Sequence, residues 1–156
     1  MVDAAKLKDL ITRVEAATGP DREIDMLLAD HLGIVAEAFS AQGFRFDSDK
    51  VDFGVPFFRD PGACGGGGFA WVAPAYTASI DAALALVDRA HPGWRYHIYS
   101  AEVFDAKRPF VRLMQPGWSR LSREQQPFGE GRAEAETLPL AILAALLRSI
   151  EGGERG

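Results

Sequence analysis

"PAYTASIDAALALVDRAHPGWRYHIYS", residues 74–100, changes periodicity within one run. In its first part Ile80, Ala83, Leu84 and Val87 recur at helical spacing. Thr77 or Ser79 can accept from the free N–H groups of a first turn. His91-Pro92-Gly93 ends that helix. In its second part Trp94, Tyr96 and Ile98 alternate with Arg95, His97 and Tyr99, the period of a strand with two unlike faces. "AKRP" (106–109) is a turn, and "FVRLMQP" (110–116) is the partner strand, with Val111 and Leu113 on one face and Phe110, Arg112 and Met114 on the other. A helix feeding an antiparallel hairpin predicts an α+β domain.

The flanks extend that pattern. "AAKLKDLITRVEAA" (4–17) places Leu7, Leu10, Ile11 and Val14 on one helical stripe, with Asp3 as N-cap. Gly19-Pro20 breaks it. A second helix follows with Pro20 in its first turn, an apolar stripe of Ile24, Leu27, Leu28 and Leu32, and Gly33 at its stop. Residues 34–74 mix aromatic and β-branched residues with Asp, Gly and Pro. They read as one or two short strands at a sheet edge, because Pro56 cannot donate to a ladder. Residues 115–136 read as a long loop. "TLPLAILAALLRSI" (137–150) reads as a strongly apolar helix capped by Thr137, and 151–156 as a flexible tail. The expected order is α-α-β-α-β-β-α: one domain over 1–150, with a Gly-rich insert at 34–74 and helices covering at least one face of a small antiparallel sheet.

The 156 residues suit one domain with a core. No window approaches the ~18 consecutive apolar residues of a membrane span, and the N-terminus has no apolar signal region. The single cysteine, Cys64, can form no internal disulfide, which fits a reducing cytosol. The net charge of −5 argues against nucleic acid as a partner. Residues 94–123 nevertheless carry six of the 17 basic residues and two of the 22 acidic ones, so one basic segment lies inside an acidic protein.

Catalytic and cofactor signatures were sought and not found. Gly62 to Gly67 has the spacing of a phosphate loop, but Gly68-Phe69 stands where Lys and Ser or Thr must follow. Gly65, Gly67 and Ala70 fit a dinucleotide fingerprint loosely, yet the next residues read as extended and offer no helix N-terminus. The glycine run of 62–68 therefore reads as a flexible loop. His31, His91 and His97 have no metal-ligand spacing. Asp47, Asp49 and Asp52 lack the glycine and terminal glutamate of a calcium loop. No G-x-S-x-G occurs. The chain reads as non-catalytic, with no cofactor and no metal.

The remaining signal is the hairpin with its following loop. Arg95, His97, Tyr99, Lys107, Arg108, Arg112, Trp118 and Arg120 combine cations with aromatic rings, a pairing common at interface hot spots. These eight are the candidate partner- or anion-binding residues.

"RVEAATGPDREID" (13–25), "YTASIDAALALV" (76–87) with "GW" (93–94), and "TLPLAILAALLR" (137–148) resemble the phage ABA sandwich domain family, small proteins of phages and prophages. The resemblance implies an α/β/α-type sandwich and a phage context, and it carries no catalytic residue to any position. Residues 34–74 exceed the family's usual connection, and the glycine run is not part of its pattern. Two functions follow as expectations. The first is an accessory protein that binds a host protein, such as an inhibitor of an antiphage defence system (anti-CRISPR-like). The alternative is sequestration of a small anionic ligand such as a nucleotide. Oligomeric state is left open by the sequence.

Overall fold

The computed structural model describes residues 3–43, 58–59, 70–99, 107–116 and 130–154. Helix α1 (Ala4–Ala16) starts where Asp3 accepts from the Ala5 and Lys6 amides, and it buries Leu7, Leu10, Ile11 and Val14. Helix α2 (Arg22–His31) starts two residues beyond the reading above. Asp21 is its N-cap, accepting from Glu23 and Ile24 at 2.9 and 3.2 Å, so Pro20 lies outside the helix and not in its first turn. Gly33 ends that segment at φ +72°, a conformation open to glycine.

A third helix, α3 (Ile34–Ala41), follows at once. This corrects the reading of 34–74, which contained no helix. Ile34, Val35 and Phe39 look strand-like by type, but all three are buried in the common core, and packing overrides propensity there. The expected short strands are β1 (Phe58–Arg59) and β2 (Ala70–Trp71), an antiparallel ribbon pairing Phe58 with Trp71. The glycine run of 62–68 lies outside the described residues.

Helix α4 (Ile80–Ala90) is capped by Ser79, whose Oγ accepts from Ala82 N at 3.2 Å. Its buried stripe is Ala83, Leu86 and Val87; Ile80 is exposed and Leu84 half-buried, a small rotation from the expected face. Gly93, at φ +77°, turns the chain into β3 (Arg95–Tyr99). Strand β4 (Phe110–Met114) pairs with it in the register Arg95–Met114, His97–Arg112, Tyr99–Phe110. The segment read as one loop contains a further strand, β5 (Gly131–Glu134), which pairs antiparallel with β4. The sheet order is β3-β4-β5.

Helix α5 (Leu138–Glu154) runs into the supposed tail as far as Glu154. The Thr137 carbonyl accepts from Ala141 N at 2.9 Å, which is the backbone role of an N-cap. Leu140 through Leu147 are all fully buried, and a helix apolar on every side belongs in the middle of a core. α5 packs on β5 and β4 with one side and on α1 and α4 with others. The domain is α+β, with α5 as the central rod between the sheet and the other helices.

Candidate binding face

Side chains alternate along a strand, so the register fixes which residues share a face. Val111, Leu113, Gly131 and Ala133 point to α5 and are buried. The opposite face gathers Arg95, His97 and Tyr99 from β3, Phe110, Arg112 and Met114 from β4, and Arg132 and Glu134 from β5. All eight are exposed or half-buried. The face gathers cations and rings, and its β5 side, with Phe110, Arg132 and Glu134, borders a concavity. His97 Nδ1 lies 3.2 Å from the Tyr99 hydroxyl, and the Tyr99 and Phe110 rings are 5.7 Å apart.

The cations of this face fall into two classes. Glu130 pairs with Arg112, and with Arg132 Nε at 2.8 Å, so one carboxylate neutralises two guanidinium groups. Arg108 pairs with Glu136 at 3.5 Å. Arg95 and Lys107 are exposed, and among the described residues neither has an ion-pair partner. Of the eight sequence candidates, the sheet thus brings Arg95, His97, Tyr99 and Arg112 together. Lys107 and Arg108 stand at the turn before β4. Trp118 and Arg120 lie outside the described residues.

Sequence reasoning missed Glu130 because β5 was read as loop. The signal existed: "GRAEAE" (131–136) alternates small with charged residues at period 2. Gly and Ala are poor strand formers, so the alternation carried little weight.

Two buried polar clusters were also missed, and both tie elements together. Asp25, fully buried, accepts from Thr77 N at 2.7 Å and pairs with Arg22 at 2.8 Å. Arg22 also donates to the Ala73 carbonyl at 2.6 Å, and Asp21 N donates to Thr77 Oγ1 at 2.9 Å. Burial pushes the Asp25 carboxyl above its ordinary range despite those partners. His91 stacks on Trp94 at 4.1 Å and meets Ser149 Oγ at 2.9 Å. The Ser149 hydroxyl also lies 2.6 Å from the Leu146 carbonyl, within the same helix. Ser149 is fully buried, and the His91–Ser149 hydrogen bond bolts the end of α4 to α5. Burial lowers the His91 pKa and keeps the ring neutral.

Concavities indent the surface among the described residues. One of about 500 Å³ lies between α3 and α4 over Trp71 and Tyr76, with the Glu37–Arg89 pair at its rim. One of about 280 Å³ lies beside His91. A third, about 520 Å³, includes Arg108, Arg132 and Arg148, each already held by a carboxylate. None of the three is lined by Arg95 or His97. Among the described residues no cluster of three His, Cys, Asp or Glu side chains could hold a metal, and no helix is long and apolar enough to cross a membrane. Comparison with family models, with curated proteins and with solved structures finds no match.

Proposed function

We propose that this chain is a non-catalytic accessory protein of phage or prophage origin that acts by binding a protein of its bacterial host through the outer face of the β3-β4-β5 sheet. A component of an antiphage defence system is the partner class that suits it. The observation that carries the reading is the exposed sheet face on which Arg95, with no ion-pair partner among the described residues, stands beside His97, Tyr99 and Phe110. Exposed faces that combine cations with rings suit protein partners, whereas small ligands need a concavity that buries most of their surface, and none of the concavities above is lined by Arg95 or His97. The phage context rests on the resemblance of residues 13–25, 76–87 and 137–148.

Sequestration of a small anion has weaker support. It needs free cations in a cavity, and the arginines of the 520 Å³ concavity are each engaged by Glu136, Glu130 or Glu15.

The test is affinity capture by the tagged protein from a bacterial host, with mass spectrometry of retained proteins and small molecules. The control variant is Arg95→Glu with Lys107→Glu. Both positions are exposed and, among the described residues, have no ion-pair partner, so their reversal keeps stability within ~0.5 kcal/mol. Arg112→Glu is a poor control, because it sets a second carboxylate against Glu130. One enriched protein that the folded double variant no longer retains is the expected result. A retained anion without a protein moves the function to sequestration.

A further inference from the structure

β3 is an edge strand. β4 occupies one side of it, and among the described residues no strand pairs with the other. Unpaired edges carry a row of N–H and C=O groups ready to pair, and folded proteins usually blunt them with proline, bulges or inward charges. β3 has none of these devices. Its five residues, Arg95 to Tyr99, run in unbroken register with β4 and contain neither proline nor glycine.

Its inner face is also incomplete. Val111 and Leu113 on β4 are fully buried under α5, whereas their ladder partners Ile98 and Tyr96 are 42% and 47% exposed. The cover supplied by α5 therefore stops between β4 and β3. The outer face of the same strand carries Arg95 and His97, and no carboxylate lies on β3. The nearest face carboxylates are on the β5 side of the sheet: Glu130, occupied by Arg112 and Arg132, and Glu134, which is separated from β3 by β4.

We infer that β3 docks an extended, acidic segment of the partner protein, which joins the sheet as a fourth strand with alternating acidic and apolar residues. This rests on the proposed function and names the partner's chemistry at that same face. The backbone edge supplies main-chain hydrogen bonds. Arg95 and His97 select acids on the outer side, and Tyr96 with Ile98 select apolar residues on the inner side. A second copy of β3 fits less well, since it brings two cationic strands into one ladder without a carboxylate.

The probe is a capped eight-residue peptide alternating Glu and Val, titrated into the intact protein by calorimetry with amide hydrogen exchange in parallel. A block peptide of four Glu then four Val is the control. The alternating peptide is expected to bind, to slow exchange in β3, and to lose about tenfold or more in affinity on Arg95→Glu with His97→Glu. Equal affinity for the block peptide overturns the inference, as does binding that leaves the β3 amides unprotected. If the alternating peptide fails while a host protein is still captured in an Arg95-dependent way, edge docking falls and the binding function stands. If neither occurs, both fall. A concentration-dependent dimer whose β3 amides are protected without peptide overturns the inference in favour of self-association.

Discussion

Gly131→Ala is the substitution that the packing forbids most clearly. A Cβ at this position would lie 2.1 Å from the Ala145 carbonyl oxygen and 3.0 Å from both the Ala145 carbonyl carbon and Ser149 Cβ. An ordinary carbon–oxygen contact is about 3.3 Å or more, so β5 must withdraw from α5 by about 1 Å. The two worst contacts are backbone atoms of a buried helix, and no rotamer change relieves them. Withdrawal also loosens Ala133 and Ala135, both buried on the same side. A gap of ~1 Å forfeits up to about half of each dispersion contact, and overpacking of this kind costs typically 1–3 kcal/mol. The upper end applies here because backbone meets backbone. Stiffening of the unfolded chain by alanine returns about 0.4–1 kcal/mol. The expected net loss is therefore about 2–3 kcal/mol. Urea unfolding followed by tryptophan fluorescence measures it, with Gly19→Ala as reference. A Cβ on Gly19 meets nothing within 4 Å and its backbone is not left-handed, so that variant should be neutral or slightly stabilised. If Gly131→Ala unfolds within about 0.5 kcal/mol of Gly19→Ala, the direct apposition of β5 on α5 is wrong.

Other expectations follow from the same packing. His91 is neutral in the fold with a lowered pKa, so its contribution is fully present above its unfolded value near ~6.5 and is lost as pH falls from there through the folded value. Urea midpoints at acid and neutral pH should converge in His91→Phe, and an unchanged slope would show that another group titrates. Asp25→Ala strands the Thr77 amide and the Arg22 guanidinium and should cost about 2–4 kcal/mol, whereas Asp25→Asn keeps an acceptor for Thr77 and should cost less; equal losses would refute the hydrogen-bond account. Leu143→Ala in the centre of α5 should cost about 2–5 kcal/mol, against ~0.5 kcal/mol or less for exposed Ile98→Thr. Comparable losses in thermal unfolding would mean that Ile98 is covered.

The elements legible in the sequence were those whose signals are local. Asp3 and Ser79 cap helices through bonds within three residues, and Gly33 and Gly93 turn the chain by their own φ. The alternation of β3 and β4 set both faces of the hairpin and put His97 and Arg112 on the same one, while their pairing in the ladder is known only from the structure. What was illegible depends on distant partners. Gly131 and Ala133 are small because α5 runs close above them, a constraint that no local pattern states. α3 was hidden because Phe39 and Val35 earn their burial from core residues far along the chain. The basic face was only half legible. Its residues were visible, but the neutralisation of Arg112 comes from Glu130, across a strand that had been read as loop. Charge counting along the sequence thus overstated the free positive charge and spread it over too many residues.

Residues 21–25 and 73–77 meet in space, and the manner of their meeting limits what they say. Asp21, Arg22 and Asp25 come from "GPDREID", and Thr77 from "YTASIDAAL". They form one cluster: Asp21 N to Thr77 Oγ1, Thr77 N to Asp25, Arg22 to Asp25 and to the Ala73 carbonyl. Each bond either starts a helix or fastens α2 to the segment ahead of α4. Asp25 and Thr77 are buried, so no partner can reach them without unfolding the latch. Such residues serve folding, because a half-satisfied buried network costs more than an apolar one. The stretches "GPDREID" and "YTASIDAAL" therefore speak to architecture, and function has to be sought where they do not reach. β3 is such a place: Arg95 through Ile98 are exposed, and it has an unpaired edge among the described residues. Substitutions there should leave stability intact and change binding, while substitutions in the latch should do the reverse. A single screen that scores each variant for both soluble yield and partner retention separates the two classes, and latch variants that lose the partner at full stability would break the argument.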